Sequence, residues 1–497
     1  MLRTRAEQSL DAVGFLKVKL KGVIWVSVRY DLIVIGAGAA GLTAAFTALG
    51  FGKKVLLVEQ AKPGGECTWS GCIPSKALIN VAKDVHAARK ITPSLQYDTS
   101  KAMAQVRRVI DAVYEEETPE VLIAAGAEYV AGAASFVDSK SITVNGQVYQ
   151  GKKFIIATGS SPLIPPITGL DDVDYLTNES IFELAHLPDS MIVLGGGAIG
   201  VELAQAMNRL GVQVDLVEMM PDIMFREEAE FAQTLRENIA TEGVRFHVDT
   251  KALKVQETPN GVQVLLESKG IQSTLQGEAL LLALGRKPNR ASLGLENIGV
   301  ACNNGITVNS KLQTSVSNIY ACGDVAGPYQ FSHMANYQAK LATMNAILPF
   351  SRKASYENAA WTTFTEPEFA HAGLTEAQAR VQYGNKVRVY DYSFSKLDRA
   401  KTKAGDSGQI KLITDTKSRV LGAHILGERA GELICQVQTM KHFKIPFGKL
   451  QAVIHPYPTY ADGLRQLAQQ VYIDSIFKHP LVVFFQRIKA RFSGKAE

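Results

Sequence analysis

Cysteine is scarce in this sequence, with five residues in a chain of 497. So few cysteines, spread from Cys67 to Cys435, exclude the disulfide framework of a small secreted domain. Apolar runs are short as well. The stretch GVIWVSV at residues 22–28 is well below the ~20 residues that a bilayer-spanning helix needs. No secretory signal is visible, and we expect a cytoplasmic protein.

A large excess of charge is also lacking, since the formal net charge is +5. No basic stretch is interleaved with aromatic residues, so we expect no nucleic-acid partner. Basic residues do gather in an N-terminal extension, residues 1–28, and in an amphipathic tail, residues 476–497. We expect a docked or frayed helix at each end. The alternative for the tail is contact with an anionic membrane surface.

Two segments of the chain, residues 30–59 and 190–218, repeat one pattern of strand, glycine turn, helix and strand. Each has G-x-G-x-x-G where its first strand meets its helix. Each also ends its second strand in a glutamate, at the same distance from the third glycine. The residues are Gly36, Gly38, Gly41 and Glu59 in the first copy, and Gly195, Gly197, Gly200 and Glu218 in the second.

This pattern is typical of dinucleotide-binding units. The glycines permit a tight turn, a close approach of the backbone to a pyrophosphate, and packing of the helix on the strand. The helix N-terminus attracts the phosphates, and the carboxylate bonds the ribose hydroxyls. Two copies therefore predict two bound dinucleotides. Glu218 would repel a 2′-phosphate, which favours NADH over NADPH, although the nearby Arg226 leaves NADPH open.

Three further segments fit a nucleotide-binding fold. A buried strand at residues 152–162 ends in a small-residue turn, and a second strand and turn follow at residues 279–289. Asp324 lies between a strand and a helix, where it would bond a polyol such as a ribityl chain, cap the helix, or both. From about residue 355 the pattern changes to a separate α+β unit. From these turns we assign Thr158, Gly159, Ser160 and Gly285 to cofactor binding.

The segment GGECTWSGCIPSK, residues 64–76, holds Cys67 and Cys72 with four residues between them. A helix is predicted from Cys72 onward, since Pro74 is tolerated in a first turn. A helix N-terminus lowers the pKa of a thiol, which suits redox chemistry. A zinc site would need a second ligand pair, and none follows. We therefore predict a redox pair and no resident metal site.

Together these motifs make the sequence resemble the class I pyridine nucleotide–disulfide oxidoreductases. The similarity spans about residues 29–475. It is closest to the mercuric reductase-like members and extends to dihydrolipoamide dehydrogenase. The segments that carry it are GAGAAG, GGECTWSGCIPSK, ATGSSP, GGGAIGVELA, ALGRKPN, IYACGD and FTEPEFAHAGLTE.

The resemblance implies an α/β fold with two Rossmann-like domains and a C-terminal α+β dimerisation domain. FAD would bind residues 29–162 and 286–352, and NAD(P)H would bind residues 163–285. Residues 353–475 would form a homodimer in which each copy completes the other's active site. Electrons would pass from NADH through the flavin to a Cys67–Cys72 disulfide, and then to the substrate.

The resemblance also assigns roles to single residues. Cys72 would lie against the flavin, and Cys67 would meet the substrate. Glu202 would approach the flavin and pair with a lysine. The remaining cofactor contacts would come from Glu59 at the adenosine ribose, Asp324 and Lys76 near the flavin, His333 at a helix start, and Gly65 in the cysteine motif.

The segment AVIHPYPTYADGL, residues 452–464, departs from the disulfide-reducing members. Their catalytic histidine is replaced by Tyr457 and their glutamate by Asp462. A phenol is a poor proton shuttle at neutral pH, so exchange with lipoamide or glutathione should be slow. Mercuric reductase-like members share the P-Y-x-T pattern. An alternative register gives His455 the catalytic role.

We therefore expect an FAD- and NAD(P)H-dependent reductase that acts on a soft metal ion or another small electrophile. Mercuric reductases deliver metal with a C-terminal cysteine pair and a separate metal-binding domain, and we expect neither here. A dihydrolipoamide dehydrogenase is the alternative enzyme. A redox-sensing flavoprotein with little turnover is the alternative from another class.

Overall fold

The computed structural model describes residues 8–10, 16–20, 23–403, 408–477 and 482, with side chains from residue 29 onward. The first part of the chain alternates strands and helices. Its strands are β1 (Gln8–Leu10), β2 (Leu16–Leu20), β3 (Val23–Ile35), β4 (Val55–Glu59), β5 (Glu128–Ala131), β6 (Ala134–Asp138), β7 (Ser141–Val144), β8 (Gln147–Ile156) and β9 (Ser160–Pro162). Its helices are α1 (Ala39–Gly50), α2 (Gly65–Trp69), α3 (Cys72–Ile91), α4 (Thr99–Tyr114) and α5 (Pro119–Ala124).

The middle part repeats this alternation on a smaller scale. Its strands are β10 (Ser190–Leu194), β11 (Gln213–Val217), β12 (Arg245–His247), β13 (Lys251–Thr258), β14 (Gly261–Ser268), β15 (Ile271–Gly277), β16 (Ala279–Leu282), β17 (Arg286–Pro288) and β18 (Ile319–Ala321). Its helices are α6 (Ala198–Leu210), α7 (Ala229–Thr241) and α8 (Ser332–Ile347).

The last part forms an antiparallel sheet with helices. Its strands are β19 (Ala360–Thr363), β20 (Glu368–Gly373), β21 (Arg388–Ser393), β22 (Gln409–Thr414) and β23 (Val420–Gly427). Its helices are α9 (Glu376–Tyr383), α10 (Asp398–Lys401), α11 (Ala430–His442) and α12 (Ala461–Phe477).

The first sheet is built on β3, which pairs in parallel with β4 on one side and with β8 on the other. β5 continues the parallel order beyond β4, and β18 continues it beyond β8. Strands β6, β7 and β8 form an antiparallel meander on the same sheet. Because β18 returns from residue 319, the sheet combines two separate stretches of the chain, as the predicted discontinuous domain requires.

The N-terminal extension corrects one expectation. We expected a helix there, but β1, β2 and the start of β3 pair antiparallel and join the first sheet. The sequence LKVKL at residues 16–20 alternates apolar and basic residues with the period of a strand, a signal that the charge count hides. The expected tail helix and its membrane contact lie outside the described residues, apart from residues 476, 477 and 482.

The second sheet is parallel, in the order β12-β11-β10-β16, and the antiparallel sheet β13-β14-β15 accompanies it. The third sheet, β19-β20-β23-β22-β21, is antiparallel throughout. The α/β fold with a separate C-terminal α+β unit is confirmed. The predicted limit at residue 29 cuts through β3, which begins at Val23, so the first sheet extends into the N-terminal extension. We propose the other predicted boundaries as the domain limits.

One apolar core joins the two parallel units. It contains Leu78 and Val85 of α3, Val106 of α4, and Val201 and Met207 of α6, all buried. Helix α3 begins at Cys72, as predicted, so the helix that carries a reactive cysteine is packed against the second unit. The position of the cysteine pair relative to that unit is therefore fixed by side-chain packing.

Candidate active site

A cavity of about 2270 Å³ lies where the three parts of the chain meet. It runs along the carboxyl ends of both parallel sheets, the edge at which ligands bind in folds of this kind. Most of the predicted site residues line it, namely Gly36, Gly38, Glu59, Gly65, Cys67, Cys72, Lys76, Thr158, Gly159, Ser160, Gly195, Gly197, Glu202, Glu218, Gly285, Asp324 and His333.

The first glycine turn packs closely against neighbouring backbone. Gly36 has φ of 100°, and a Cβ there would lie 2.4 Å from the carbonyl oxygen of Ala157. A Cβ on Gly41 would lie 1.7 Å from the carbonyl oxygen of Gly36, so helix α1 rests directly on the turn. Glu59 accepts hydrogen bonds from the backbone N–H groups of Ala37 and Ala61, at 2.6 and 2.8 Å.

The second glycine turn repeats this geometry closely. Gly195 has φ of 113°, and a Cβ there would lie 2.4 Å from the carbonyl oxygen of Ala283. A Cβ on Gly200 would lie 1.9 Å from the carbonyl oxygen of Gly195. Glu218 accepts from the N–H groups of Gly196 and Met220, at 2.6 and 2.8 Å. Both turns therefore have the cradle and carboxylate that a dinucleotide requires.

The two cysteines of the motif face each other as free thiols. Cys67 lies in α2, and Cys72 is the first residue of α3. A hydrogen bond from the Cys67 thiol lowers the pKa of Cys72 to about 6, against the opposing effect of burial. The Ser332 hydroxyl, 3.6 Å from the Cys72 sulfur, and the charge of Lys76 lower that pKa further. The same hydrogen bond, together with burial, raises the pKa of Cys67 well above its usual range.

Lys76 and Glu202 meet across the two parallel units. The ammonium of Lys76 lies 2.8 Å from Oε2 of Glu202, whose side chain is only 6% exposed. Glu202 also accepts a 2.7 Å hydrogen bond from the backbone N–H of Phe364. A lysine one turn beyond Cys72 is thus held in place by a buried carboxylate from helix α6.

A polar cluster lies beside the cysteine motif. Asp324 accepts a 2.6 Å hydrogen bond from the Ser160 hydroxyl, and burial raises the pKa of Asp324. Arg286 pairs with Glu66, and burial raises the pKa of Glu66 to about 7 despite this partner. The helix-cap interpretation of Asp324 is wrong, because α8 begins only at Ser332 and Phe331 is its N-cap.

Two other predicted contacts lie on the cavity wall. His333 lies in the first turn of α8, and its Nε2 is 2.7 Å from the carbonyl oxygen of Ala360. The Thr158 hydroxyl donates a 2.6 Å hydrogen bond to the carbonyl oxygen of Asn289. Both side chains therefore have protein partners at the cavity edge.

Tyr457 and Asp462 lie away from this cavity in the single chain. Tyr457 is 72% exposed, and its hydroxyl donates a 2.8 Å hydrogen bond to Asp398. Asp462 instead binds Arg465, at 2.7 Å. Nδ1 of His455 is 2.9 Å from the carbonyl oxygen of Val453. An exposed Tyr457 fits a site that a second copy of the chain would complete.

Sequence reasoning missed several residues that the structure brings to the site. Ser332 contacts Cys72 from a helix 260 positions further along the chain. Glu227, His371 and His424 come together from three separate segments. Only chain folding assembles these groups, although the histidine in EFAHAGL was visible as an isolated polar residue in an apolar strand.

Family models identify two domains in the chain. Residues 30–339 match the pyridine nucleotide-disulphide oxidoreductase family, and residues 359–468 match the dimerisation domain of the same family. The chain belongs to this family. Its members are enzymes that use FAD and NAD(P)H, and the two glycine turns described above fit those cofactors. In the described part of the chain, no helix is long and apolar enough to cross a bilayer.

Individual relatives bear two enzyme names. A mercuric reductase of Bacillus cereus is 33% identical over 445 residues, which cover 88% of this chain and 70% of that protein. A dihydrolipoyl dehydrogenase of Thermus scotoductus is 36% identical over 466 residues, covering 90% of this chain and 98% of that protein. The resemblance that the sequence motifs indicated is confirmed.

A similar solved structure is the HOCl-induced flavoprotein disulfide reductase RclA of Escherichia coli. Its TM-score is 0.79 at 28% identity, over 88% of this chain and 99% of that one. A Cu(II) complex of the same protein matches with a TM-score of 0.80 at 27% identity, over 89% of this chain and 100% of that one.

Proposed function

We propose that this chain is an NADH-dependent flavoprotein reductase that passes electrons through Cys67 and Cys72 to a soft metal ion or another small electrophile. The observation that carries the proposal is the thiol pair itself. It opens onto the cavity that both glycine turns share, and the pKa of Cys72 is lowered to about 6. Cys72 is therefore a thiolate at neutral pH, which is the reactive form.

One set of residues in the chain would bind FAD, and the two cysteines would transfer electrons. Glu59 and the Gly36 turn would hold the adenosine end of FAD, and Asp324, Lys76 and His333, which line the same cavity, would hold its flavin end. FAD, when bound, supplies a two-electron carrier between the nicotinamide and a Cys67–Cys72 disulfide. Cys72 would be stabilised as a thiolate by Cys67, Ser332 and Lys76, while Cys67 keeps its proton until an acceptor arrives.

The acceptor is assigned from the chemistry of the thiols and of Tyr457. Paired thiolates select soft metal ions. The hydrogen bond to Asp398 raises the pKa of Tyr457, so the phenol donates a hydrogen bond and does not act as a base. In a homodimer, Tyr457 and Asp462 of a second copy would face the pair. The names of the mercuric reductase and of the RclA Cu(II) complex support a metal-ion acceptor.

The coenzyme preference rests on Glu218. Its carboxylate is fixed by two backbone N–H groups at the end of β11, where it would bond ribose hydroxyls and repel a 2′-phosphate. NADH is therefore the preferred hydride donor. Because the repulsion acts only on the 2′-phosphate, NADPH should bind the same turn more weakly.

An acceptor panel tests the proposal. The flavin-loaded protein is given NADH or NADPH with mercuric ion, cupric ion, lipoamide, oxidised glutathione, a quinone or oxygen, and kcat/KM is measured for each. We expect multiple turnovers with NADH and a soft metal ion. Failure with every metal ion would overturn the metal reductase, and a preference for NADPH would overturn the role of Glu218.

A dihydrolipoamide dehydrogenase is the second candidate, favoured by the 36% identity to the Thermus scotoductus enzyme. It would require His455 rather than Tyr457 to act as the base. Robust lipoamide-dependent production of NADH that is lost in His455→Ala would establish this function. Consumption of a single equivalent of NADH with every acceptor would indicate the redox sensor instead.

A further inference from the structure

Two histidines lie side by side in the C-terminal sheet. His371 of β20 and His424 of β23 are direct partners across the antiparallel pair, so their side chains share one face. Their rings meet edge to face at 4.5 Å. Both are buried, with 3% and 0% of their surface exposed. Glu227 reaches them from the segment that follows the second glycine-turn unit, and its side chain is 6% exposed.

The hydrogen bonds of His371 require a proton or a metal ion at its Nδ1. Its Nε2 lies 2.8 Å from the carbonyl oxygen of Gly373, which can only accept, so Nε2 carries a hydrogen. Its Nδ1 lies 2.5 Å from Oε2 of Glu227. A lone pair and a carboxylate face each other at this distance only with a proton between them. A Zn²⁺ bound by both atoms would replace that proton and move the two atoms apart to about 3.3 Å.

His424 supplies a second free lone pair. Its Nε2 points to the carbonyl oxygen of Leu374 at 3.2 Å, so this nitrogen also carries a hydrogen. Its Nδ1 is buried and has no hydrogen-bond partner among the described residues. Buried nitrogen acceptors are nearly always satisfied in proteins, so an orphan of this kind needs an explanation. One ligand atom from each of Glu227, His371 and His424 lies within 4.8 Å of the others.

The surroundings favour a cation and hold the ligands in place. Trp361 stacks on His371 at 3.8 Å and donates a 2.7 Å hydrogen bond to the second oxygen of Glu227. The ammonium of Lys411 is shared among the acidic side chains of Glu228, Glu230 and Glu376, so negative charge is in excess nearby. Glu227 and His371 also line the large cavity, which gives an ion a route in.

We propose that Glu227, His371 and His424 form a binding site for one Zn²⁺ or a divalent ion of the same borderline class. Two neutral imidazoles and a carboxylate, with a fourth position open to water, are a ligand set that Zn²⁺ takes readily. The hydrogen bonds from Nε2 of both histidines to backbone carbonyls are the outer contacts that orient metal-bound imidazoles. The site contains no thiol, so it would prefer different metal ions from those that Cys67 and Cys72 bind.

Zinc binding is measured on full-length, flavin-loaded protein that carries Cys67→Ser and Cys72→Ser. These changes remove the reductase function and the competing thiol site, so the result does not depend on the proposed activity. After dialysis against a chelator, Zn²⁺ is titrated against a chromophoric competitor. Co²⁺ is added separately, and its visible absorption reports the ligand type. His371→Gln and Glu227→Gln are compared with His186→Gln, an exposed histidine outside the cluster.

We expect one Zn²⁺ per chain, a Co²⁺ spectrum without thiolate charge transfer, and a rise in melting temperature with Zn²⁺. His371→Gln should weaken binding by more than roughly 100-fold, and His186→Gln should leave it unchanged. If His371→Gln loses its flavin or its fold, the zinc affinity of Glu227→Gln becomes the test of the site. Absence of stoichiometric Zn²⁺, or binding that survives both cluster variants, would overturn the site and leave an imidazolium–carboxylate pair.

Discussion

The two glycine-turn units offer nearly the same cradle, yet they lead into different segments. Gly36 and Gly195 have similar φ angles, and a Cβ added at either would lie 2.4 Å from a carbonyl oxygen. Glu59 and Glu218 each accept hydrogen bonds from two backbone N–H groups. After Glu59 the chain enters α2 and α3 with the two cysteines. After Glu218 it runs to Glu227, which contacts His371 of the C-terminal sheet, and then into α7. The cradle therefore explains why each unit would hold a dinucleotide, and the segments around it distinguish the two units.

Replacement of Cys72 is the strongest test of the difference between the two units. Cys72→Ser should lower NADH-dependent reduction of mercuric ion by at least about 10³-fold, because the electron path loses its inner sulfur. Flavin content, measured by absorbance, should be unchanged. Cys302→Ser, a change at an exposed cysteine outside the cavity, is the matched control and should keep full activity. Retained metal reduction in Cys72→Ser would remove the thiol pair from the mechanism.

Paired glycine substitutions test whether the cradles hold different cofactors. Gly36→Ala forces a Cβ to 2.4 Å from a carbonyl oxygen at positive φ. It should cost about 2–4 kcal/mol in the free energy of unfolding and release flavin. Gly195→Ala has the same local strain but should keep its flavin and raise KM for NADH. Denaturant unfolding, flavin absorbance and kinetics measure these effects. Loss of flavin in both variants would show that the units are not separate in function.

The pH dependence of alkylation tests the origin of the reactive thiolate. In the reduced enzyme, the alkylation rate of Cys72 should rise as pH increases through about 6, because the thiolate forms above its pKa. In Cys67→Ala that rise should move to higher pH, since the hydrogen bond that lowers the pKa most is gone. Mass spectrometry of the Cys72 peptide gives the rate, and Cys302 in the same samples is the internal reference. An unshifted profile would assign the effect to Ser332 and Lys76.

The smallest expected effect concerns coenzyme choice. Glu218→Gln removes the charge that repels a 2′-phosphate and weakens the bonds to ribose hydroxyls. The ratio of kcat/KM for NADH to that for NADPH should fall by roughly 10-fold, about 1.4 kcal/mol. Glu59→Gln, the equivalent change in the first unit, should leave this ratio unaltered. A ratio that moves in Glu59→Gln and not in Glu218→Gln would reverse the assignment of the two turns.

The elements that sequence reasoning predicted correctly are those with local signals. The repeated glycine turns, the helix that begins at Cys72 and the C-terminal α+β unit each follow from spacing and periodicity within about 30 residues. The strands at residues 8–10, 16–20 and 23–28 were missed because their charge was given more weight than their alternation. Asp324 was assigned an alternative cap role although Gly327 and Pro328, a turn signal, separate it from α8.

The groups that could not be predicted depend on contacts between distant parts of the chain. Ser332 reaches Cys72, and Tyr457 bonds Asp398, only because separate elements meet in the folded protein. The prediction of no resident metal site considered spacing along the sequence. Glu227 and His371 are 144 positions apart, so the proposed zinc ligands leave no sequence motif. Such clusters become visible only when the packing of the sheets is known.

The packing of helix α3 holds the two nucleotide-binding units together. Its apolar face is shared with α6, and Lys76 is clamped to Glu202 at 2.8 Å. Separation of the two nucleotide-binding units would therefore expose their shared apolar core to water. A rigid joint of this kind would keep the distance between the two glycine turns constant, so each nucleotide would have to enter its own turn from the open side of the cavity.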